Sequence, residues 1–285
     1  MVRKSNIRVN AMARPAALPL PADNRISAFT KGDVLDRWCD DAAGIRALSS
    51  GDNVITMFDV IGEDYWSGGG ITAKKVAAQL RAIGDRDVEV QINSPGGDMF
   101  EGIAVYNVLR EHPKNVTVKI MGMAASAASI IAMAGDRVEI GTASFIMIHN
   151  CWVVAIGNRH NMAETAEWLE PFDSAMTDVY AARTGQDAKA IARWMDAETY
   201  MSGATAVDRG FADALLAADQ VTVDEDAKAS DKQINEVRAM ELALVHAGHS
   251  RTEARARINK IKGTPGAGDT ELAGLMAGLL NTITA

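Results

Sequence analysis

Hydrophobic residues along the 285-residue chain alternate between strand-length apolar runs and helical spacing. The apolar runs predict β-strands at 54–61, 88–92, 116–121, 138–140 and 145–148. Apolar residues three or four positions apart predict helices at 33–48, 72–83, 100–111, 163–183, 188–195 and 202–209. Because helices separate successive strands, we expect an α/β fold with a mostly parallel sheet covered by helices.

The same pattern divides the chain into three parts. Residues 1–50 combine a proline-bearing segment without periodicity and one amphipathic helix, which predicts an N-terminal arm and helix. Residues 51–218 hold the alternating strands and helices of the main domain. Residues 219–285 open with a charged stretch at 224–232 that is typical of a linker. The helical patterns that follow predict a helical C-terminal extension at 236–247, 252–261 and 272–283.

A stretch of small residues from Ile120 to Gly135 carries no charge. Its polar side chains are Ser126 and Ser129, which are one helical turn apart. Taken alone, the stretch fits a buried Ala-rich helix whose hydroxyls bond to carbonyls of the preceding turn. Its position directly after the strand at 116–121 also fits a turn at Ser126 with a helix beginning there.

Three features follow strands whose carboxyl ends would meet at one edge of the sheet: the turn at 94–97, Ser126 and His149. A serine attacks a carbonyl carbon when a base takes its proton and donors stabilise the oxyanion. Ser126 is therefore a candidate nucleophile and His149 a candidate base, although a single strand-end histidine is more often structural. The backbone amides of Gly97 and Ala127 are candidate oxyanion donors.

An acid that orients the imidazole would complete such a site. Asp196 and Glu198 lie in the segment between two predicted helices, and their spacing does not choose between them. Each also fits a solvated loop carboxylate without a catalytic role.

Composition narrows the functional classes. The net charge of −8 disfavours nucleic-acid binding. Cys39 and Cys151 form neither a disulfide framework nor a metal cluster, and they fit a reducing compartment. The uncharged run of about sixteen residues is shorter than the roughly 20 needed to cross a bilayer. With no nucleotide-binding glycine pattern and no metal-ligand spacing, we predict no cofactor, no metal and no membrane contact for a cytoplasmic protein.

Five short motifs occur in order within residues 53–216: Asn93-Ser94-Pro95-Gly96-Gly97, Gly122-Met123-Ala124-Ala125-Ser126, Met147-Ile148-His149, Thr184-Gly185-Gln186 and Tyr200-Met201-Ser202. Together they resemble the ClpP family of serine peptidases. The resemblance implies a fold of ClpP/crotonase-like ββα units with a protruding handle helix at 163–183.

The resemblance also implies roles for single residues. It makes Ser126 the nucleophile and His149 the general base, with the amides of Gly97 and Ala127 as the oxyanion hole. The family's aspartate aligns with Glu198, so this chain departs from the family in residue type, and Asp196 is the fallback. Glutamate is longer by one methylene but can still accept the imidazole N–H.

The extensions suggest a subgroup. The chain adds about fifty residues in front of the family core and about seventy behind it. The segment 243–255 resembles the extension of phage and prophage ClpP-like head-maturation proteases. That resemblance implies a ring-shaped homo-oligomer that cuts scaffold or capsid proteins in the bacterial host cytoplasm or inside a procapsid, without an ATPase unfoldase.

Other functions remain open from the sequence. One is a housekeeping ATP-dependent Clp protease proteolytic subunit, fed by an ATPase partner. A second is a crotonase-like acyl-CoA enzyme, in which glycine-loop amides hold an enolate and no serine is needed. A third is a non-catalytic scaffold protein. For a peptidase, we expect the C-terminal extension to be dispensable for hydrolysis of a small peptide.

Overall fold

The computed structural model describes residues 26–27, 30–47, 51–216 and 221–262. Its strands are β1 (Ile26–Ser27), β2 (Ile45–Ala47), β3 (Val54–Met57), β4 (Val88–Ser94), β5 (Val116–Ala125), β6 (Arg137–Gly141), β7 (Phe145–Ile148), β8 (Val154–Ala155), β9 (Thr199–Ser202), β10 (Ala214–Leu216) and β11 (Val221–Val223). Its helices are α1 (Gly32–Asp41), α2 (Ala73–Ile83), α3 (Met99–Arg110), α4 (Ala127–Ala132), α5 (Arg159–Thr184), α6 (Ala188–Asp196), α7 (Gly203–Asp208), α8 (Glu225–His246) and α9 (Arg251–Lys262).

The central sheet follows the order β10-β6-β5-β4-β3, and every neighbouring pair in it is parallel. β7 pairs in parallel with β5, and β9 pairs antiparallel with β7. The strands are rich in buried Val, Ile and Met, as expected for a sheet covered on both faces. The α/β fold predicted from the sequence is confirmed. The carboxyl ends of β4, β5 and β7 lie side by side.

β5 changes its partner half-way along its length. Its first half pairs with β6 and its second half with β7. At the change, Asn93 Oδ1 accepts a hydrogen bond from Met123 N at 3.2 Å, and Ser144 Oγ donates to Met121 O at 2.8 Å. A Cβ at Gly122 would lie 2.8 Å from Asn93 Oδ1, so only glycine fits there. Buried side chains thus satisfy backbone groups at the split and let β5 run on beside β7.

The N-terminal segment packs against this region of the sheet. Trp38 is 1% exposed, and its Nε1 donates to Asn93 Oδ1 at 3.0 Å. Asn93 Nδ2 in turn donates to Ala42 O at 2.7 Å. The predicted helix at 33–48 is shorter than expected, because α1 ends at Asp41 and the chain continues as β2.

The long helix predicted at 163–183 is α5, which begins four residues earlier, at Arg159. The Asn158 side chain caps its first turn by accepting from His160 N and Asn161 N. Gly185 ends it in the left-handed conformation, with φ of +69°. In the described part of the chain, no helix is both long and apolar enough to span a membrane.

The linker predicted at 224–232 is wrong, because these residues begin α8. The Asp224 side chain accepts from Ala227 N at 2.9 Å, and Glu225 and Asp226 follow in the first turn, where carboxylates favour a helix. α8 and α9 then bury apolar residues in one cluster: Val237, Leu242, Leu244, Val245, Ala254 and Ile258. The helical piece predicted at 272–283 and most of the arm predicted before α1 lie outside the described residues.

Candidate active site

Ser126 occupies a strained turn between β5 and α4. Its φ of +53° and ψ of −125° are rare for a residue with a side chain, and such a conformation costs about 1–3 kcal/mol. The surrounding structure holds the turn, since Ser126 N donates to Met147 O at 2.9 Å. The small-residue stretch is therefore not one continuous helix, and Ser126 is half-buried at its turn.

His149 lies directly against this serine. β7 ends at Ile148, and its parallel pairing with β5 brings the two strand ends together. His149 Nε2 is 2.7 Å from Ser126 Oγ, and His149 is 7% exposed. The structure thus brings together the two residues that the sequence had placed at neighbouring strand ends.

Ser129 has a different environment. It is fully buried, and its hydroxyl donates to Ser126 O at 2.5 Å. The same hydroxyl is 2.7 Å from Tyr180 Oη. These two bonds tie α4 to α5 and use the hydroxyl's donor and an acceptor site, so Ser129 supports the turn.

Gly96 and Gly97 form the second wall of the site. A Cβ at Gly96 would lie 2.7 Å from Ser126 Cβ, so the glycine loop touches the serine turn. Gly97 has φ of +150°, and a Cβ there would lie 2.1 Å from Ile61 O. Any side chain at Gly97 would push this loop away from Ile61.

The glycine loop is held by a bridge to Ile61. Ile61 N donates to Gly96 O, and Ile61 O accepts from Asp98 N, each at 2.8 Å. Because Ile61 bonds to the residues on either side of Gly97, the Gly97 N–H points away from Ile61. Within the described part of the chain, that amide has no hydrogen-bond acceptor. It is therefore available to a ligand in the cleft.

Glu198 lies just before β9, with a positive φ of +48°. Its carboxylate accepts two hydrogen bonds from Lys31 Nζ, at 2.7 and 2.6 Å. Among the described residues, no hydrogen bond joins Glu198 to His149. The expected contact between acid and imidazole is thus replaced by an ion pair that includes the residue preceding α1.

Asp196, the fallback acid, is engaged elsewhere. It is the last residue of α6, and its Oδ1 accepts from Asn150 Nδ2 at 2.8 Å. This bond holds the chain one residue after His149 but does not reach the imidazole. Asp173 likewise accepts from Cys151 N at 2.6 Å.

The surroundings of His149 favour its neutral form. Burial lowers the pKa of His149 below its ordinary value of 6.5, and the charge of Lys31 acts in the same direction. The charges of Glu198 and Asp33 oppose this shift and are the weaker influence. A neutral imidazole with a free Nε2 lone pair can accept the proton of Ser126 Oγ.

An apolar cleft opens beside the serine and histidine. Side chains from α3 and α5 line it: Met99, Phe100, Trp168, Leu169 and Met176. Phe100, Trp168 and Phe172 form edge-on and tilted ring contacts that stiffen this wall. A larger cavity of about 330 Å³ lies by α2 and is lined by neither Ser126 nor His149. Of these two sites, only the cleft beside Ser126 and His149 combines these two residues with an apolar lining.

Sequence reasoning missed two residues near the site. Lys31 lies between the predicted arm and the predicted helix, and no local signal links it to Glu198, 167 positions away. In the sequence, Asn93 stands out only as part of a glycine-turn motif. In the structure it is fully buried, and its side chain connects β4 to α1 and β5 by hydrogen bonds.

Comparison with known proteins identifies the family of the chain. Residues 70–219 match the Clp protease family model. An ATP-dependent Clp protease proteolytic subunit from Ligilactobacillus salivarius (strain UCC118) is 31% identical over 150 residues, covering 50% of this chain and 76% of that protein. Subunit 3 from Rhodococcus jostii (strain RHA1) is 31% identical over 136 residues, covering 47% and 67%. Subunit 1 from Prochlorococcus marinus (strain MIT 9312) is 28% identical over 151 residues, covering 51% and 77%.

The α/β fold, with a serine hydroxyl 2.7 Å from a histidine nitrogen, is the arrangement expected of a serine hydrolase. The chain belongs to the Clp protease family, and it is a serine-type endopeptidase.

Proposed function

We propose that Ser126 is the nucleophile of this peptidase and that His149 is its general base. The observation that carries the proposal is the 2.7 Å contact between Ser126 Oγ and His149 Nε2 at a buried imidazole. The amides of Gly97 and Ala127 serve as oxyanion donors, and Glu198 is the acid of the site. Ser129 has no part in the reaction.

The reaction follows from these positions. His149 Nε2 takes the proton as Ser126 Oγ attacks the scissile carbonyl, and the two amides stabilise the oxyanion. The protonated His149 then gives its proton to the leaving amine as the C–N bond breaks. Water then gives a proton to His149 and attacks the acyl-serine. His149 returns this proton to Ser126 Oγ as the C–O bond breaks and the second product leaves.

Glu198 acts on His149 through its charge in this arrangement. Its carboxylate stabilises the imidazolium that forms during attack, since it raises the pKa of His149 against the effect of burial. Lys31 holds the carboxylate in place at 2.6 Å. The positive φ at Glu198 fixes the backbone from which the side chain reaches this position.

The pH dependence of hydrolysis tests the role of His149. Because catalysis requires neutral His149 and burial lowers its pKa, kcat/KM should rise with pH through an apparent pKa below 6.5 and then level off. The measurement is kcat/KM for a short peptide from acid to neutral pH in buffers of constant ionic strength. An acid limb centred above 6.5 would mean that the environment of His149 is not the one described.

The biological role that we propose is phage or prophage head maturation by a ring-shaped homo-oligomer acting on scaffold or capsid proteins. The family match ends at residue 219, and a packed helix pair follows it in α8 and α9. Such an added module supports a specialised member of the family. The protein would act without an ATPase unfoldase, because scaffold proteins present their cleavage sites without unfolding.

Co-expression with phage scaffold and capsid proteins tests this role. We expect cleavage of those proteins in the absence of any ATPase, and none with the Ser126→Ala variant. Cleavage that occurs only when a Clp ATPase and ATP are added would contradict the proposal. That outcome would favour the housekeeping role named by the three relatives.

A further inference from the structure

The C-terminal extension is joined to the main domain by a buried arginine. Arg238 of α8 is 9% exposed, and its Nη2 donates to Asp59 Oδ1 at 2.7 Å and to Asp64 Oδ2 at 2.8 Å. Both aspartates lie in the connection between β3 and α2, called here the 59–71 loop. One guanidinium therefore binds two carboxylates of a single loop.

The two carboxylates give the 59–71 loop its shape. Asp59 accepts from Val60 N at 2.7 Å and from Gly70 N at 3.0 Å, so it joins the two ends of the loop. Asp64 accepts from Ser67 N at 2.7 Å. Burial alone would raise the pKa of Asp64, but hydrogen bonding and charge from Arg238 hold it below the ordinary value. The single positive charge of Arg238 thus lies against both carboxylates of the loop.

The 59–71 loop also contains Ile61, which holds the glycine loop on the oxyanion side of the cleft. Ile61, two residues after Asp59, makes both bridge bonds to Gly96 and Asp98. Gly62 N donates to Ile71 O at 2.7 Å, which closes the loop immediately behind this bridge. A short path of hydrogen bonds and backbone therefore runs from Arg238 through Asp59 and Ile61 to Gly96 and Asp98, the two residues that flank Gly97.

The extension also contacts the other side of the cleft. Val237, Leu244 and Val245 of the extension share an apolar cluster with Trp152 and Val154, which follow His149 in the chain. Trp66 of the 59–71 loop joins this cluster, and its Nε1 donates to buried Glu241. α8 is thus packed against the chain on both sides of the Ser–His pair.

We propose that Arg238 is a positioning residue for hydrolysis, which fixes the Gly97 amide at the oxyanion site through the 59–71 loop. The inference rests on the proposed role of Gly97. It predicts the opposite of the expectation that the extension is dispensable for hydrolysis of a small peptide, and the experiment below decides between the two. Lysine at position 238 should not fully replace arginine, because only a guanidinium binds two separate carboxylates with fixed geometry.

Removal of Arg238 leaves Asp59 and Asp64 as part-buried charges without their shared cation. Their repulsion opens the loop, and Ile61 no longer holds Gly96 and Asp98 in register. The Gly97 amide then moves relative to Ser126 Oγ, so the transition state loses stabilisation while substrate binding in the apolar cleft persists. The effect should therefore fall on kcat rather than on KM.

Steady-state hydrolysis of a short peptide tests the proposal with Arg238→Met, Arg238→Lys and Arg251→Met in the full-length chain. Arg251 is the matched control, because it pairs with Glu241 inside the extension and its charge is also removed. Loss of one oxyanion donor costs on the order of 10²–10³ in kcat, and displacement of the donor should cost Arg238→Met about 10–100-fold with KM changed by less than about threefold. Arg238→Lys should fall between this variant and wild type, and Arg251→Met should match wild type.

Binding of a peptide boronate supplies the second readout, because its serine adduct places an oxygen at the oxyanion site. Its affinity should fall in parallel with kcat in Arg238→Met, whatever the change in Tm. Unchanged kcat and boronate affinity would overturn the proposal, even if Tm falls. If Arg238→Met does not fold, Arg238→Lys decides, and a wild-type kcat in that variant contradicts the proposal. Wild-type protein that does not react at Ser126 would instead refute the proposed function.

Discussion

Replacement of Ser126 by alanine is expected to abolish peptide-bond cleavage and any self-processing while the protein still assembles. The hydroxyl is the atom that attacks the carbonyl, and its loss in a serine peptidase lowers kcat on the order of 10⁶-fold. Assembly should be unaffected because the Ser126 backbone amide, which bonds to Met147 O, remains. Peptide hydrolysis, intact mass and light scattering after size exclusion measure the three properties.

Ser129→Ala is the matched control for this variant. It removes a hydroxyl from the same turn, but one that bonds to Ser126 O and Tyr180 Oη. We expect retained hydrolysis and a free energy of unfolding lower by about 1–3 kcal/mol, since buried groups lose their partner. Full activity in Ser126→Ala with loss in Ser129→Ala would exchange the roles of the two serines.

The second large effect concerns the acid. Glu198→Gln should lower kcat, because the imidazolium loses a negative charge that stabilises it. The loss should be smaller than the roughly 10⁴-fold caused by replacing an acid that is hydrogen-bonded to the imidazole. Asp196→Asn should cost much less, since Asp196 bonds to Asn150 rather than to the imidazole. Comparison of kcat for the two variants on one peptide is the measurement, with Tm recorded for both.

The physical basis of this difference is the placement of charge. Glu198 raises the pKa of His149, whereas no such effect of Asp196 is present. Neutralising Glu198 also removes the nearer of the two carboxylates that pair with Lys31, which disfavours a positive imidazolium further. A larger loss for Asp196→Asn than for Glu198→Gln would show that the alignment of the acid is wrong.

Much of the fold follows from local patterns in the sequence. Apolar runs predicted β4 and β7 to within a few residues, because both strands are buried almost throughout. Helical spacing predicted α2 and α6 equally well, because each helix buries one side. The proposed nucleophile and base are also predictable from local patterns. Ser126 and His149 each come directly after a strand, and parallel strands place such residues at one edge.

One error comes from a local signal with two interpretations, and the others arise where distant residues decide the structure. Charge at 224–232 suggested a linker, although Asp224 and the acidic first turn also form a helix start that the sequence contains. The Lys31–Glu198 ion pair joins residues 167 positions apart, and the Arg238–Asp64 pair joins residues 174 apart. Such pairs depend on how the terminal segments fold back on the sheet. The hydrophobic periodicity of the sequence does not indicate this arrangement.

Mass spectrometry of the protein after reaction with a fluorophosphonate tests the central claim most directly, because the reagent bonds to an activated serine hydroxyl. The claim that Ser126 is activated by His149 predicts one adduct per chain, on the peptide that contains Ser126 and Ser129. The adduct should persist in Ser129→Ala and be absent in Ser126→Ala. An adduct that survives in Ser126→Ala, or a wild-type chain that forms none, would contradict it.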